Sequence, residues 1–187
     1  MTTDHKLVSR VQAALRDVPD FPRPGVLFKD ITPLLAQPAL MRDIIDAMAQ
    51  PFRASGITHV VGVESRGFLF GMPVALLLDA AFVPARKPGK LPWKTIREAY
   101  ALEYRTDALE MHADAFGNDA GTVRGVRGAE VLIVDDVLAT GGTATATCRL
   151  VEAAGGSVAG IAMLVELAFL GGRARLAPNR VEALVSF

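Results

Sequence analysis

Residues Val131 to Thr143 read VLIVDDVLATGGT, and the order of residue types in this run predicts an α/β fold. Four apolar residues, mostly β-branched, suit a strand buried on both faces. Two acids follow at its carboxyl end, then a Thr/Gly loop, then a helix-compatible stretch from Thr143 to Ala154. That succession puts chemistry at a strand tip, where open α/β sheets bind their ligands.

Each part of the run has a physical use. Gly141 and Gly142 tolerate positive φ and carry no side chain, so the N–H groups of Ala139, Thr140, Gly141, Gly142 and Thr143 can turn inward around a phosphate. The helix that follows aims its N-terminus at the same anion. Thr140, Thr143 and Thr145 add hydroxyl donors. Asp135 and Asp136 would repel a phosphate, but carboxylates accept hydrogen bonds from sugar hydroxyls. A phosphate on one side and a diol on the other describe a ribose 5-phosphate. A strand–loop–helix with two glycines is by itself a common turn, so the paired acids carry more weight. No Lys follows the second glycine, which excludes a Walker A loop, and the GxGxxG pattern is absent.

On either side of this run, helical and strand patterns alternate. Asp4 to Val18 carries a helical stripe (Leu7, Val8, Val11, Ala14, Leu15) stopped by Pro19, and FPRPG at Phe21 to Gly25 is irregular. Pro38 to Ala54 reads as helix, Thr58 to Val63 as strand, Gly67 to Leu78 as helix and Ala81 to Ala85 as strand. Val131 to Val134, Val158 to Leu167 and Val181 to Phe187 read as further strands. The stretch Phe68 to Val83 is expected to be a buried helix running into a strand; Asp79 breaks it, and it is too short to span a membrane. Such alternation predicts a mostly parallel, twisted sheet flanked by helices. Gly56, Glu64 to Gly67, Arg86 to Gly89 and Asp135 to Thr143 are expected at or beside the carboxyl ends of its strands. Lys87 to Tyr100 holds two prolines and four basic residues; it reads as a basic loop able to close over a polyanion.

Gross composition narrows the classes. At 187 residues, one domain is the default. Lys plus Arg and Asp plus Glu balance at 20 each, so no global field draws the chain to nucleic acid or to an anionic membrane. The lone Cys148 forms no intrachain disulfide and reads as a small core side chain rather than a nucleophile. His5, His59 and His112 lack ligand spacing, so a bound metal is expected to arrive with the substrate. With no signal-like opening, the cytoplasm is the expected compartment.

The VLIVDDVLATGGT run resembles the phosphoribosyl pyrophosphate (PRPP) motif of type I phosphoribosyltransferases. FPRPGVLFKDITPLL at Phe21 to Leu35, ESRGFLFG at Glu64 to Gly71, RKPGKLP at Arg86 to Pro92 and LEY at Leu102 to Tyr104 appear with it in one order. Taken alone, ESRG reads as a helix start capped by Ser65. The whole set, from Phe21 to about Pro178, is similar to the adenine phosphoribosyltransferase family.

That resemblance implies the type I fold as one domain over 1–187, with about 1–35 as an N-terminal helix and base-binding hood. It implies transfer of a phosphoribosyl group from PRPP to adenine, giving AMP and pyrophosphate with Mg2+, in a homodimer. On the family's pattern Asp135 and Asp136 bind the ribose hydroxyls, and Ala139, Thr140, Gly141, Gly142 and Thr143 bind the 5-phosphate. Ser65, Arg66, Arg86, Lys87 and Lys90 complete the PRPP set, with Arg86 matching a residue that reaches a neighbouring subunit's site. Leu27, Phe28 and Lys29 contact adenine, Phe28 by its ring and the other two by their backbones. Glu103 and Arg66 are the implied catalytic residues, Glu103 as the acid–base group near the imidazole ring of the purine. No direct protein ligand to the metal is implied.

The chain departs from the family's pattern between Met111 and Val131, where a segment around Gly117 to Arg127 is extra, and Trp93, Lys94 and Arg97 add bulk and charge to the loop. Three alternatives are weaker. A PRPP- or purine-sensing regulator needs a DNA-binding helix pair, for which the segment before Pro19 is too short. An enzyme for another purine base fits FPRPGVLFKD and LEY less well. A receiver-type phosphoacceptor has no use for ESRG.

Overall fold

The computed structural model describes residues 5–21, 24–25, 27–101, 106–117 and 128–187. In chain order the elements are α1 (His5–Ala14), β1 (Arg16–Pro19), β2 (Leu27–Asp30), α2 (Thr32–Leu35), α3 (Pro38–Ala49), β3 (His59–Val63), α4 (Gly67–Leu78), β4 (Ala81–Ala85), β5 (Thr95–Ala101), β6 (Thr106–His112), β7 (Ala129–Leu138), α5 (Gly142–Ala153), β8 (Gly156–Glu166), α6 (Gly172–Arg175) and β9 (Val181–Ser186).

Five strands form a parallel sheet in the order β4-β3-β7-β8-β9. Its central strands are apolar on both faces because helices cover both. Val60, Leu132, Val134 and Leu164 pack with Leu7 and Val11 of α1, Ile44 and Met48 of α3, and Phe70 and Val74 of α4. The alternate residues Val61, Val131, Ile133, Ile161 and Met163 pack with Cys148, Leu150 and Val151 of α5. Buried Leu109 and Met111 of the β5–β6 hairpin join that second layer.

From β3 the chain moves outward through α4 to β4, and from β7 it moves the other way through α5 to β8, with α4 and α5 on opposite faces. The crevice beyond the carboxyl ends of β3 and β7 is therefore the point where the winding reverses, the favoured ligand position of such sheets. Pairing of β3 with β7 ends at Gly62 opposite Val134, whereas pairing of β7 with β8 continues to Leu138 opposite Glu166. Past Val134, β7 has a partner on one side only.

Several expectations need correction. The first helix stops at Ala14; Arg16–Pro19 is a strand paired antiparallel with Leu27–Asp30, forming the ribbon of the hood. The central strand runs past Val134 through both acids, because β8 continues to supply hydrogen-bond partners. The end of the basic segment, Thr95–Tyr100, lies in strand β5, which pairs with β6. Gly56 precedes β3 and so lies at the opposite end of that strand from Glu64. Helix α4 is not wholly buried: Leu69, Met72, Leu76 and Leu77 are exposed, with Leu76 at 70%. Glu103 with its LEY motif, Pro22, Arg23, and 118–127 of the extra segment lie outside the described residues. Among the described residues, no helix is long and apolar enough to cross a membrane.

Candidate active site

At the end of β7 the chain turns through Ala139 and Thr140 into Gly141, whose φ of +80° an L side chain rarely adopts. The first helical bond of α5 runs from the Thr145 N–H to the Gly141 carbonyl at 2.9 Å. The N–H groups of Gly141, Gly142, Thr143 and Ala144 therefore have no intrahelical acceptor and form the positive end of the helix. Thr145 is not a donor toward that space, contrary to expectation: its hydroxyl turns back and donates to the Gly141 carbonyl at 2.8 Å.

Behind this loop lies Gly172, at the start of α6. A Cβ on Gly141 would sit 2.8 Å from the Gly172 carbonyl oxygen, and a Cβ on Gly172 would strike the Ala139 carbonyl. Backbone meets backbone here, so neither position has room for a side chain. Sequence reading missed Gly172; the signal available was a Gly171–Gly172 pair shortly after a strand end.

The two acids occupy the stretch of β7 that β3 no longer pairs with. Asp135 Oδ1 accepts the Asp136 N–H at 2.9 Å. Burial, reinforced by the neighbouring Asp136 charge, pushes the Asp135 carboxyl well above the usual carboxylate range. Asp136 is 4% exposed, and its Oδ2 lies 2.8 Å from Arg66 Nε. That approach is out of line with the N–H, so Oδ2 has a charge partner but no hydrogen-bond donor. Such a buried acceptor is suited to a ligand hydroxyl.

Arg66 is the boundary residue of α4, whose first residue, Gly67, rests directly on β7. A Cβ on Gly67 would lie 2.8 Å from the Val134 carbonyl oxygen and 2.9 Å from Asp135 Oδ1. The Ser65 side chain does not cap the helix. The close seating at Gly67 carries Arg66 to Asp136, and the same guanidinium lies over the Phe28 ring, 5.4 Å from its centroid. Hood and strand tip are thus joined through one side chain.

Glu64 ties the ends of β3 and β4 together. It accepts Arg86 Nε at 3.1 Å, Arg86 Nη2 at 3.3 Å and the Lys87 N–H at 2.9 Å. Burial raises its pKa, but the Lys87 N–H and the Arg86 guanidinium outweigh that and hold it below its ordinary value. Arg86 Nη1 donates to the Lys90 carbonyl at 3.0 Å, and the Lys90 side chain is exposed. Lys87 reaches the hairpin instead, donating to Asp107 and, at 3.1 Å, to the Tyr100 hydroxyl. Burial lowers the Lys87 pKa, and these two partners more than offset it. Residue type alone gave no hint of the Lys87 partners, because Tyr100 and Asp107 meet only through hairpin register.

In the hood, Phe28 stacks edge-on with Phe21, centroids 5.1 Å apart. The Lys29 ammonium is committed elsewhere, 2.6 Å from Asp17 Oδ1 and 4.3 Å from the centroid of the Phe187 ring. Leu27 is exposed. The structure therefore brings together Phe28, Arg66, Asp135, Asp136 and the 139–143 loop, while Arg86, Lys87 and Lys90 stand on the adjoining rim. His59 is buried against Phe116 and bonded to Thr58, and burial lowers its pKa; it serves the core. Among the described residues, no cluster of three His, Cys, Asp or Glu side chains could hold a metal ion.

Comparison with known proteins agrees with this geometry. Residues 30–180 match the phosphoribosyl transferase domain. Adenine phosphoribosyltransferase of Myxococcus xanthus is 56% identical over 185 residues, covering 99% of this chain and 96% of that one. A crystal structure of the Rhodothermus marinus adenine phosphoribosyltransferase superposes with a TM-score of 0.88 at 51% identity, covering 98% of this chain and all of that one. The Saccharomyces cerevisiae enzyme, crystallised with an imino-altritol bisphosphate and adenine, gives a TM-score of 0.84 at 38% identity, covering 96% and 98%. With the family domain matching residues 30–180 and its relatives matching end to end, the chain belongs to the adenine phosphoribosyltransferase family.

Proposed function

We propose that the protein transfers the 5-phosphoribosyl group of PRPP to N9 of adenine, releasing AMP and pyrophosphate in purine salvage, as one catalytic domain with residues 1–35 as its hood. The observation that carries this reading is the juxtaposition of α5's unbonded N–H groups with the donor-free Asp136 oxygen. Phosphate and diol recognition then lie side by side.

The residues divide the work by chemistry. The 5-phosphate sits on the N–H groups of 139–143, and the ribose hydroxyls donate to Asp135 and Asp136. Adenine lies against Phe28, and the peptide groups of Leu27 and Lys29 read its polar edge. PRPP would enter with Mg2+ on its own phosphate oxygens, and that charge would help neutralise the pyrophosphate, while the donors of this chain hold the rest. Arg66, Ser65, Lys87 and Lys90 supply further donors to the departing anion, and Arg86, to serve a second subunit, must leave Glu64 and the Lys90 carbonyl. As the C1–O bond to pyrophosphate breaks, the sugar becomes oxocarbenium-like and adenine N9 attacks C1. The N9 proton is lost, and the family resemblance assigns Glu103 as the acid–base group for it. Fixed cations and dipoles matter more here than a protein nucleophile.

The partner is a second copy of this chain. Support comes from the unpaired apolar face of α4, where Leu69, Met72 and Leu76 recur at helical spacing. Neither nucleic acid nor membrane has a place in this reading, and the compartment is the cytoplasm.

The test is a base-specificity assay with pyrophosphate release as readout. Adenine is expected to react, and hypoxanthine and guanine poorly; equal turnover of all three would reject the base assignment.

A further inference from the structure

Seven residues downstream of the last residue of β8, the chain returns to the same place through a second, smaller lock. Glu166 is buried at the end of β8, directly opposite Leu138 in register. It takes Arg173 in a two-pronged pair, Nε to Oε1 at 2.9 Å and Nη2 to Oε2 at 2.6 Å. The third arm of the guanidinium donates to the Val181 carbonyl at 2.6 Å, at the start of β9. Arg173 is thereby fixed to two strands at once, and Gly172, immediately before it, is pressed on Gly141 and Ala139. The Leu167 N–H closes the other end of this segment on the Leu138 carbonyl at 2.9 Å.

We infer that Glu166 and Arg173 are positioning residues for the 5-phosphate: through Gly172 they brace the 139–143 loop, so that its N–H groups stay aimed at one point. The pair touches no substrate atom. Its effect falls on the cradle, because the Gly172 backbone packs against both the Gly141 and the Ala139 backbones. A bidentate guanidinium suits the task, since its planar fork fixes direction as well as distance, which a lysine ammonium cannot do. The inference rests on the assignment of 139–143 as the 5-phosphate loop.

The experiment compares wild type with Arg173→Met, Arg173→Lys and, as a control on the loop itself, Gly141→Ala. Steady-state KM values for PRPP and adenine are measured, together with competitive inhibition by ribose 5-phosphate and by inorganic pyrophosphate. Bracing predicts that Arg173→Met raises KM for PRPP and the inhibition constant of ribose 5-phosphate about tenfold or more, while adenine and pyrophosphate change less than twofold. Arg173→Lys should fall between, because it keeps the charge and loses the fork. A merely structural pair would lower the urea midpoint and the active fraction but leave both constants of the remaining enzyme unchanged; that outcome overturns the inference, as does equal weakening of ribose 5-phosphate and pyrophosphate. If Arg173→Met does not fold, the same shifts are read from Arg173→Lys. Loss of ribose 5-phosphate inhibition in Gly141→Ala but not in the Arg173 variants refutes the brace alone. Its retention in Gly141→Ala refutes the loop assignment beneath it.

Discussion

Arg66 stands between Asp136 and Phe28, with Nε 2.8 Å from the Asp136 Oδ2 and Cζ 5.4 Å from the centroid of the Phe28 ring. One guanidinium thus links the strand tip proposed to hold the sugar to the ring proposed to hold the base. Replacing Arg66 with Ala should lower kcat/KM by about a hundredfold or more, the usual cost of removing one preorganised electrostatic contact. Arg66→Lys should recover little, because an ammonium lacks the planar, delocalised guanidinium that spans Asp136 and the Phe28 ring here. Steady-state kinetics with adenine and PRPP decide it; near-wild-type rates in either variant contradict the role.

Gly67→Ala should be harmful although the new group is one methyl. Its Cβ would press on the Val134 carbonyl and Asp135 Oδ1, so α4 must lift from β7 and carry Arg66 away. Overpacking of this kind costs about 1–3 kcal/mol. A lowered urea midpoint together with lost activity is expected; an unchanged midpoint would show that the helix is not seated as described.

Two carboxylates should respond to pH with opposite sign. Asp135, raised by burial and by Asp136, destabilises the folded state once ionised; stability linked to it is full below its unfolded value, near 4, and is lost as pH rises through the folded value. Asp135→Asn should therefore melt higher than wild type at pH 8, with the gain gone by about pH 4, while binding of the sugar suffers. Glu64, lowered by the Lys87 N–H and Arg86, contributes stability above its unfolded value, and this is lost as pH falls through the folded one. Glu64→Gln should melt lower at pH 7 and match wild type in acid. Thermal melts across pH 3.5–8 test both signs.

Lys87 must leave Asp107 and Tyr100 if it is to reach a pyrophosphate. Lys87→Met should raise KM for PRPP by about 10- to 100-fold, the range of one charge-assisted hydrogen bond. KM for adenine should stay within twofold, and a shift in both would place Lys87 elsewhere.

The exposed leucines of α4 give an assembly test. Leu76→Asp puts a charge on the proposed subunit contact and should convert the dimer to monomer in light scattering. A dimer that survives this change, or a monomeric wild type, rejects that face.

Elements whose signal is local could be read from residue order: Gly67–Leu78 and Ala81–Ala85 have the boundaries that periodicity predicted, despite Pro73 inside the helix. Relations set by tertiary partners could not be read in this way. The extension of β7 to Leu138 depends on β8 continuing beside it, and strand β1 depends on β2, which begins eight residues beyond its end. The exposure of Leu76 has no counterpart in composition, since an apolar helix reads alike whether a sheet or a second subunit covers it. Among candidate-site residues, the acids and the glycine loop stood out because special chemistry sits at a strand tip, and Arg66 stood out through the family resemblance. Gly172 was not, because its importance lies in the Ala139 and Gly141 backbones it touches far back in the chain, and Glu166 and Arg173 matter only through it.

With its ammonium occupied by Asp17 and Phe187, Lys29 can address a bound heterocycle only through its peptide group. On the proposed reading, a preference encoded in the main chain is insulated from point substitution, so replacing the side chain at residue 29 should leave the choice of base unchanged. Altered selectivity should instead arise from insertions or deletions that slip the β1–β2 register, and an engineer seeking a new base should edit ribbon length before side-chain identity.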